Sequence, residues 1–382
     1  MFNGVKLSKD FKLYICFHKR LAQNIATVTP HTKKNILVAP LNWGLGHATR
    51  CIPIIKALVL HGFTPIIASD GEALALLRKE FKFLTSVELP SYRISYPKHG
   101  RLFKMKMLQN TPQILKAIKA EHKAIAKLVT SLSIDGIISD NRFGAYHETI
   151  PSVFMTHQLE VLSGNTTWLS TKMHQSLIKR FDTCWVPDTK DEPNLSGNLG
   201  HTSIENIPVH YIGAISRFNK KNVLPIYDLM VVLSGPEPQR TLLEVKLLKA
   251  FKNYKGTLLF VKGKVEEKQQ VSEENNTTLY NFMTSTQLET AINASRLVIS
   301  RSGYTTLMDL AKLGKKAFFI PTPGQFEQEY LAERMEQLGL APFCKQDDFD
   351  ISLLSKTDHY KGLSPLAPQT DFGSLLHFFK GE

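Results

Sequence analysis

VISRSGYTTLMDLAKLGKKAFFIPTPGQFEQEYLAERM, residues 298–335, decides the fold. Leu297, Val298 and Ile299 form a short apolar run of the kind that becomes a buried parallel strand. Ser300-Arg301-Ser302-Gly303 breaks the run, and Thr305 and Thr306 open a helix that closes at Gly314. Lys315 to Pro321 is a second apolar strand, and a polar loop with Gln325, Glu327, Gln328 and Glu329 leads into another helix. Such a βαβ unit leaves free backbone N–H groups and the positive end of a helix at the carboxyl edge of the sheet. The first turn suits an anion such as a diphosphate, and the polar loop suits the hydroxyls of a sugar.

A second glycine turn lies upstream. Asn35 to Pro40 is an apolar strand, and LNWGLGHATR, residues 41–50, is a Gly-bearing turn that enters a helix with Ile52, Ile54, Ile55 and Leu58. Gly62 ends that helix, and Thr64 to Ala68 makes the next strand. The turn is not the dinucleotide pattern G-x-G-x-x-G, because Gly44-x-Gly46 is followed by His47 and position 49 is Thr. A histidine just after a glycine turn, at a helix start, is a candidate for chemistry.

Between these two units the alternation continues. Helices are expected at Gly71–Lys79 and Thr111–Ser131, the second capped by Thr111 with Pro112 in its first turn. Strands are expected at Asp135–Ser139, ending in Asp140-Asn141, at Pro151–Thr156, ending in His157-Gln158, and at Thr183–Pro187. After a polar stretch from Pro193 to Pro208 the pattern restarts. Leu229–Leu233 is a strand, Ser234-Gly235-Pro236-Glu237-Pro238-Gln239-Arg240 a loop, and Thr241–Asn253 a helix. Strands at Thr257–Val261 and Thr278–Asn281 and a helix at Ser285–Ala294 follow, and Asp371–Phe379 reads as a terminal helix. The fold class is therefore α/β, with two Rossmann-like domains in series. Residues 1–34 form a basic extension, 35–215 the first domain and 216–382 the second, with the hinge near 210–227.

A chain of 382 residues has ample core for two domains, and 43% hydrophobic with 21% charged residues is a globular composition. No apolar run approaches the roughly 18 residues of a membrane-spanning helix. The extension carries Lys6, Lys9, Lys12, Lys19, Arg20, Lys33 and Lys34 against Asp10, and reads as disordered or as a start codon placed too early. Cys16, Cys51, Cys184 and Cys344 show no CxxC and no metal spacing, which fits reduced thiols in the cytoplasm. A net charge of +13 calls for an anionic partner. With no helix-turn-helix, RNA-binding aromatic motif or zinc finger, nucleic acid is set aside. The segment Lys98 to Leu108, KHGRLFKMKML, interleaves cations with apolar side chains and suits either an anionic membrane surface or a basic helix with its apolar side in the core.

Two α/β domains, each with a glycine loop, resemble the GT-B glycosyltransferases. The pattern SRSGxxTLxDLAxLGKxxxFIPxPxxxxQ, with Gly44-Leu45-Gly46-His47 and Ser234–Arg240, is closer still to family 28, which uses nucleotide-sugar donors. The resemblance implies a cleft between the domains. Gly44, Gly46 and His47 would line its acceptor side, and His157, read from its place at a strand end, either joins them or is structural. Ser234, Gly235, Arg240, Arg301, Ser302, Gly303 and Thr306 would meet the nucleotide diphosphate. Asp309, where the family commonly has Glu, would hold the ribose, and Gln325, Gln328 and Glu329 would read the sugar. It also implies a lipid or glycan acceptor, inversion at the sugar carbon and a peripheral position at the inner face of the plasma membrane.

Transfer of a sugar needs an acceptor hydroxyl deprotonated and a leaving diphosphate stabilised. His47 is the candidate base, because imidazole titrates near neutral pH, and Asp140 at a strand end is its rival. Outside the tail segment Asp348-Phe349-Asp350 there is no Asp-x-Asp, so neither metal nor cofactor is expected, and helix N-termini with Arg301 or Arg240 would carry the charge. Plainer roles remain for each: a surface salt bridge for Arg301, a structural cap for His47, an ordinary βα connection for 234–240. Two other readings share this fold: a nucleotide-sugar 2-epimerase and a non-catalytic nucleotide-sugar binding protein.

Overall fold

The protein is described here by a computed structural model covering residues 33–92, 103–264, 266–366 and 370–380. The expectations for the N-terminal extension and for the membrane-facing segment Lys98–Leu108 fall almost wholly on residues or side chains outside this set. Among the described residues, no helix is long and apolar enough to cross a membrane.

Apolar runs with little alternation build the first sheet. β1 (Asn35–Pro40), β2 (Thr64–Ser69), β4 (Ile134–Asp140), β5 (Ser152–Met155) and β6 (Thr183–Val186) are buried along almost their whole length. Strands covered on both faces have no solvent side to mark with polar residues. With the short strands β3 (Ser86–Glu88) and β7 (Val209–Tyr211) they form an all-parallel sheet in the order β3-β2-β1-β4-β5-β6-β7. The order reverses between β1 and β4, whose last residues Pro40 and Asp140 are paired. Such a switch point opens a crevice at the carboxyl ends of the strands. Helices α1 (Leu45–Leu60), α2 (Gly71–Glu80), α3 (Phe103–Ser131) and α4 (Thr167–Ile178) connect the strands.

The second sheet repeats the plan. β8 (Tyr227–Val232), β9 (Leu258–Val261), β11 (Thr277–Tyr280), β12 (Ser295–Ser300) and β13 (Lys316–Phe319) run parallel, and β10 (Val271–Glu274) is antiparallel at the edge. The order β10-β11-β9-β8-β12-β13 reverses between β8 and β12. The loops after these two strands carry the glycine turns 234–235 and 300–303. They lead into α5 (Gln239–Ala250) and α7 (Tyr304–Leu313), while α6 (Ser285–Asn293) precedes β12 and α8 (Phe326–Gln337) follows β13. As the sequence indicated, α7 stops at Gly314 in the left-handed conformation, φ 64°.

Three expectations change. α3 begins at Phe103, eight residues ahead of the expected start, so Pro112 lies inside it. Pro112 is exposed, so the carbonyl it leaves unbonded can turn to water. β3, β7 and β10 were not legible because they are three or four residues long and not buried. β7 also places residues 209–211, within the expected hinge, in the first sheet. Finally, the tail does not stay with 216–382. Helix α9 (Phe372–Leu376) and the turn His377–Phe379 pack on the first domain. Phe379 is 1% exposed, lies 6.1 Å from the Trp185 ring and covers Gly136, where a Cβ would come within 2.4 Å of its ring. Lys34 Nζ donates to the Phe379 and Lys380 carbonyls, each at 2.9 Å. The chain thus crosses between the domains twice. α1 of the first packs on α7 of the second, and one core cluster runs through both.

Removing the Phe379 ring should therefore destabilise the first domain, far from it in sequence. Phe379→Ala is expected to lose about 3–5 kcal/mol in urea unfolding followed by Trp185 fluorescence. A loss under about 0.5 kcal/mol, as for an exposed residue, would contradict this packing.

Candidate active-site cleft

The wall on the first domain is built at its switch point. Gly44 caps α1 with φ 79°, a backbone that favours glycine. A Cβ on Gly46 would stand 2.9 Å from Thr305 Oγ1 of the second domain, whose hydroxyl donates to the Gly46 carbonyl at 3.3 Å. Glycine here allows the domains to touch. His47 follows in the first turn of α1 and Arg50 comes one turn later, both facing the end of β4.

There Asp140 is fully buried and binds Arg50 in a fork, with Nε donating to Oδ2 at 2.6 Å and Nη2 to Oδ1. His47 Nδ1 lies 3.0 Å from Asp140 Oδ1, and its side chain remains 15% exposed. Burial alone would raise the Asp140 carboxyl, but the charges and hydrogen bonds of Arg50 and His47 hold it well below the usual carboxylate range. Burial lowers His47, and Asp140 partly offsets this. Asp140 is therefore ionised and His47 neutral at pH 7. The sequence set these two side chains up as rivals, and the structure joins them.

The network continues across the cleft. Arg50 Nη1 lies 3.1 Å from His157 Nδ1. A guanidinium can only donate, so this nitrogen must accept and the ring proton sits on Nε2. His157 Nε2 then donates to Glu327 Oε1 of α8 at 2.9 Å, and Gln158 Nε2 donates to Glu327 Oε2 at 2.5 Å. The His157 ring stacks on Tyr304, centroids 4.1 Å apart and 10° from parallel, and the Tyr304 hydroxyl donates to the Pro187 carbonyl at 2.9 Å.

The second wall is different in kind. A Cβ on Gly303 would meet nothing within 4 Å, so the residue that caps the amino end of α7 borders open space. Gly235 takes φ 103° in the loop after β8. Among the described residues, the buried atoms Ser300 Oγ, Thr322 Oγ1, Gln239 Oε1 and Arg301 Nε at this edge have no hydrogen-bond partner. Unused polar capacity at a switch point is what a bound polar molecule would satisfy. Ser302 donates to the Gln328 carbonyl at 2.6 Å. Gln328 accepts from Thr322 N at 2.8 Å and donates to Gln325 Oε1 at 2.6 Å, while Glu329 accepts from Gly324 N at 3.0 Å. These side chains brace the loop after β13. Ser234 and Thr306 stand beside the same opening, exposed and half-buried.

Both arginines expected at the diphosphate are committed elsewhere. Arg301 is 1% exposed; Nη1 donates to the Ile320 and Pro321 carbonyls and Nη2 to the Gln239 carbonyl and Gln346 Oε1. Burial lowers it to about 10. It is not a surface salt bridge but a strut that ties three loops of the second wall through Nη1 and Nη2, with Nε left unpartnered. Arg240 is spent on Glu244, Glu237, Thr241 Oγ1 and the Lys262 carbonyl. Buried cations this close to carbonyls and carboxylates find their acceptors within the fold. Asp309 also departs from its expected ribose contact: its Oδ1 accepts from Ser216 in the interdomain link at 2.5 Å. Asp350, in the tail Asp-x-Asp, caps the next turn through Ser352. Among the described residues no group of three or more His, Cys, Asp or Glu could hold a metal ion. Arg50, Gln158 and Tyr304 were not singled out from sequence as chemical groups, and Glu327 was read with the polar loop for sugar hydroxyls rather than as a partner of His157. Arg50 alone left a signal, one helical turn after His47.

Residues 231–360 match the model of the glycosyltransferase family 28 C-terminal domain. Over 58 residues the chain is 41% identical to the UDP-N-acetylglucosamine--N-acetylmuramyl-(pentapeptide) pyrophosphoryl-undecaprenol N-acetylglucosamine transferase of Methylobacterium radiotolerans. That alignment spans 15% of this chain and 16% of the relative. Among solved structures, MurG of Acinetobacter baumannii superposes with a TM-score of 0.56 at 14% identity, over 92% of this chain and all of MurG. The glycosyltransferase SsfS6 of Streptomyces sp. SF2575, complexed with thymidine diphosphate, gives 0.59 at 12% identity, over 91% of this chain and all of that one. The fold is that of the GT-B glycosyltransferases, and the resemblance to family 28 holds over the second domain.

The Asp309–Ser216 contact has a pH signature. Burial pushes the Asp309 carboxyl up to about 6 from 3.8. A carboxyl raised in the folded state contributes its stability below its unfolded pKa and loses it as pH rises through the folded one. Asp309→Asn should therefore match the wild type in stability near pH 4 and exceed it at pH 7.5 by about 2 kcal/mol. Equal melting temperatures at both pH values would contradict a buried, raised carboxyl.

Proposed function

We propose that the chain is a metal-independent, inverting glycosyltransferase. It moves a hexose or N-acetylhexosamine from a nucleotide sugar, UDP-linked, to a hydroxyl of a lipid or glycan acceptor. The observation that carries this reading is the facing of the two switch points. The His47–Asp140 pair stands at one and the open amino end of α7 at the other. A base on one wall and an anion site on the other suit a substitution whose nucleophile and leaving group depart on opposite sides.

In the step so assigned, the acceptor oxygen attacks the anomeric carbon while its proton passes to His47 Nε2. Asp140 accepts from Nδ1–H, which selects the tautomer with Nε2 free and stabilises the imidazolium that forms. The bond from the anomeric carbon to the diphosphate oxygen breaks, and the electron pair leaves with the nucleoside diphosphate. With Arg301 and Arg240 committed, the growing charge falls to the N–H groups of α7 and of the 234–235 loop. Attack opposite the leaving group inverts the carbon.

The family 28 domain and the partial likeness to an N-acetylglucosamine transferase support a UDP-sugar donor. That relative's printed acceptor, a pyrophosphoryl-undecaprenol, supports a lipid acceptor here. A net charge of +13, to which the sequence of Lys98–Leu108 contributes, favours an anionic membrane at the cytoplasmic face.

Purified protein given UDP-N-acetylglucosamine, UDP-galactose or UDP-glucose, each with and without bacterial lipid extract, tests the assignment. The expected result is lipid-dependent UDP release that survives EDTA and falls about 10²- to 10⁴-fold in His47→Ala. Interconversion of sugars without acceptor would mean an epimerase. Binding without turnover in every mixture would leave a nucleotide-sugar binding protein.

A further inference from the structure

Among the described residues, Glu327 stands out as a carboxylate that reaches from the second domain into the network of the first. It lies in the first turn of α8, yet both of its oxygens are held by the other domain, Oε1 by His157 and Oε2 by Gln158. Its side chain is half-buried, which would raise the carboxyl, but His157, His47 and Arg50 keep it ionised, below its ordinary value. From it an unbroken chain of contacts runs to the candidate base: Glu327–His157 at 2.9 Å, His157–Arg50 at 3.1 Å, Arg50–Asp140 at 2.6 Å and Asp140–His47 at 3.0 Å.

We propose that Glu327 is a positioning residue that makes the His47 base competent only when the second domain closes on the first. The inference rests on the assignment of His47 as base. Its logic is one of tautomers. His47 Nδ1 has two neighbours, Asp140 Oδ1 at 3.0 Å and Arg50 Nη2 at 2.9 Å. If Nδ1 carries the proton it donates to Asp140, and Nε2 is free to take the acceptor's proton. If Arg50 captures Nδ1, the proton must sit on Nε2 and the ring cannot act as a base. Arg50 donates Nη1 to His157 Nδ1 while its Nη2 lies against both Asp140 and His47, so His157 anchors the guanidinium beside the pair only while the His157 proton is held on Nε2. Glu327 holds it there. Withdrawal of Glu327 with its domain releases the His157 tautomer, and Arg50 loses the anchor that keeps it from turning fully onto His47 Nδ1. Closure over the donor is thereby relayed to the base.

The charged and titratable groups facing His47 are Asp140 on β4, Arg50 on α1, His157 after β5 and Glu327 on α8. Of these only Glu327 leaves with the second domain. Loss of the Glu327 charge disfavours protonation of His47, so the acid limb of the pH profile must move to lower pH.

The experiment is the pH dependence of kcat for wild type, Glu327→Gln and Glu327→Asp, with the donor and acceptor that support turnover. Glu327→Gln should lower kcat about 10- to 100-fold, a fraction of what a general base supplies, and shift the acid limb downwards. Glu327→Asp should restore the limb's position. In a cycle with His157→Gln, the double variant should be no slower than the slower single one. An unchanged profile with only KM raised would overturn the proposal and leave Glu327 as a donor contact. Multiplicative losses in the cycle would also overturn it. Should Glu327→Gln fold poorly, the Glu327→Asp profile and the His157→Gln profile carry the same test. Full activity of His47→Ala would instead remove the base assignment itself, which separates the two failures.

Discussion

The buried pair of Arg50 and Asp140 is the interaction on which the rest depends. Neither charge could stay in the floor of the cleft alone, since an unpartnered buried ion is among the most destabilising features a fold can carry. Together they neutralise one another and still have capacity to spare. Asp140 turns an oxygen to His47, and Arg50 turns a nitrogen to His157. Two histidines on different loops are thus oriented by one ion pair at the junction of β1 and β4. Cys51 completes the enclosure, its Sγ 3.7 Å from Asp140 Oδ2, and burial with the adjacent carboxylate keeps that thiol protonated.

Around this floor the two domains meet through side chains rather than through a broad apolar face alone. Thr305 reaches Gly46, Tyr304 reaches Pro187 and Glu327 reaches His157. On the outer rim Arg334 of α8 holds the Glu192 carboxylate at 2.7 Å, and the Tyr330 hydroxyl accepts from Asn198 N at 2.9 Å. These polar contacts ring the apolar packing of α1 on α7, in the core cluster that runs through both domains. The tail that returns to the first sheet is held by Phe379 and Trp185, and ties the second domain to the first at a second crossing.

The fold was legible because the central strands of both sheets are parallel and covered on both faces, so apolar runs alternate with helices punctuated by Gly62, Gly303 and Gly314. His47, Asp140 and His157 were legible for the same reason: each follows a strand end, and strand ends at switch points converge. What sequence could not show was commitment. Arg301 and Arg240 lie in the right loops with the right charge, but only coordinates reveal that their donors are taken by carbonyls and carboxylates of the fold. Glu327 was hidden for the converse reason. Its partners lie 170 positions away in the chain, a pairing with no local pattern.

The central claim is that base and leaving group occupy opposite walls of one cleft. Proton NMR of the anomeric centre, comparing the UDP-sugar consumed with the product formed, tests it most directly. The account predicts inversion, an α-linked donor giving a β-linked product. A product of retained configuration would contradict it, because the base and the departing diphosphate would then share one face of the sugar.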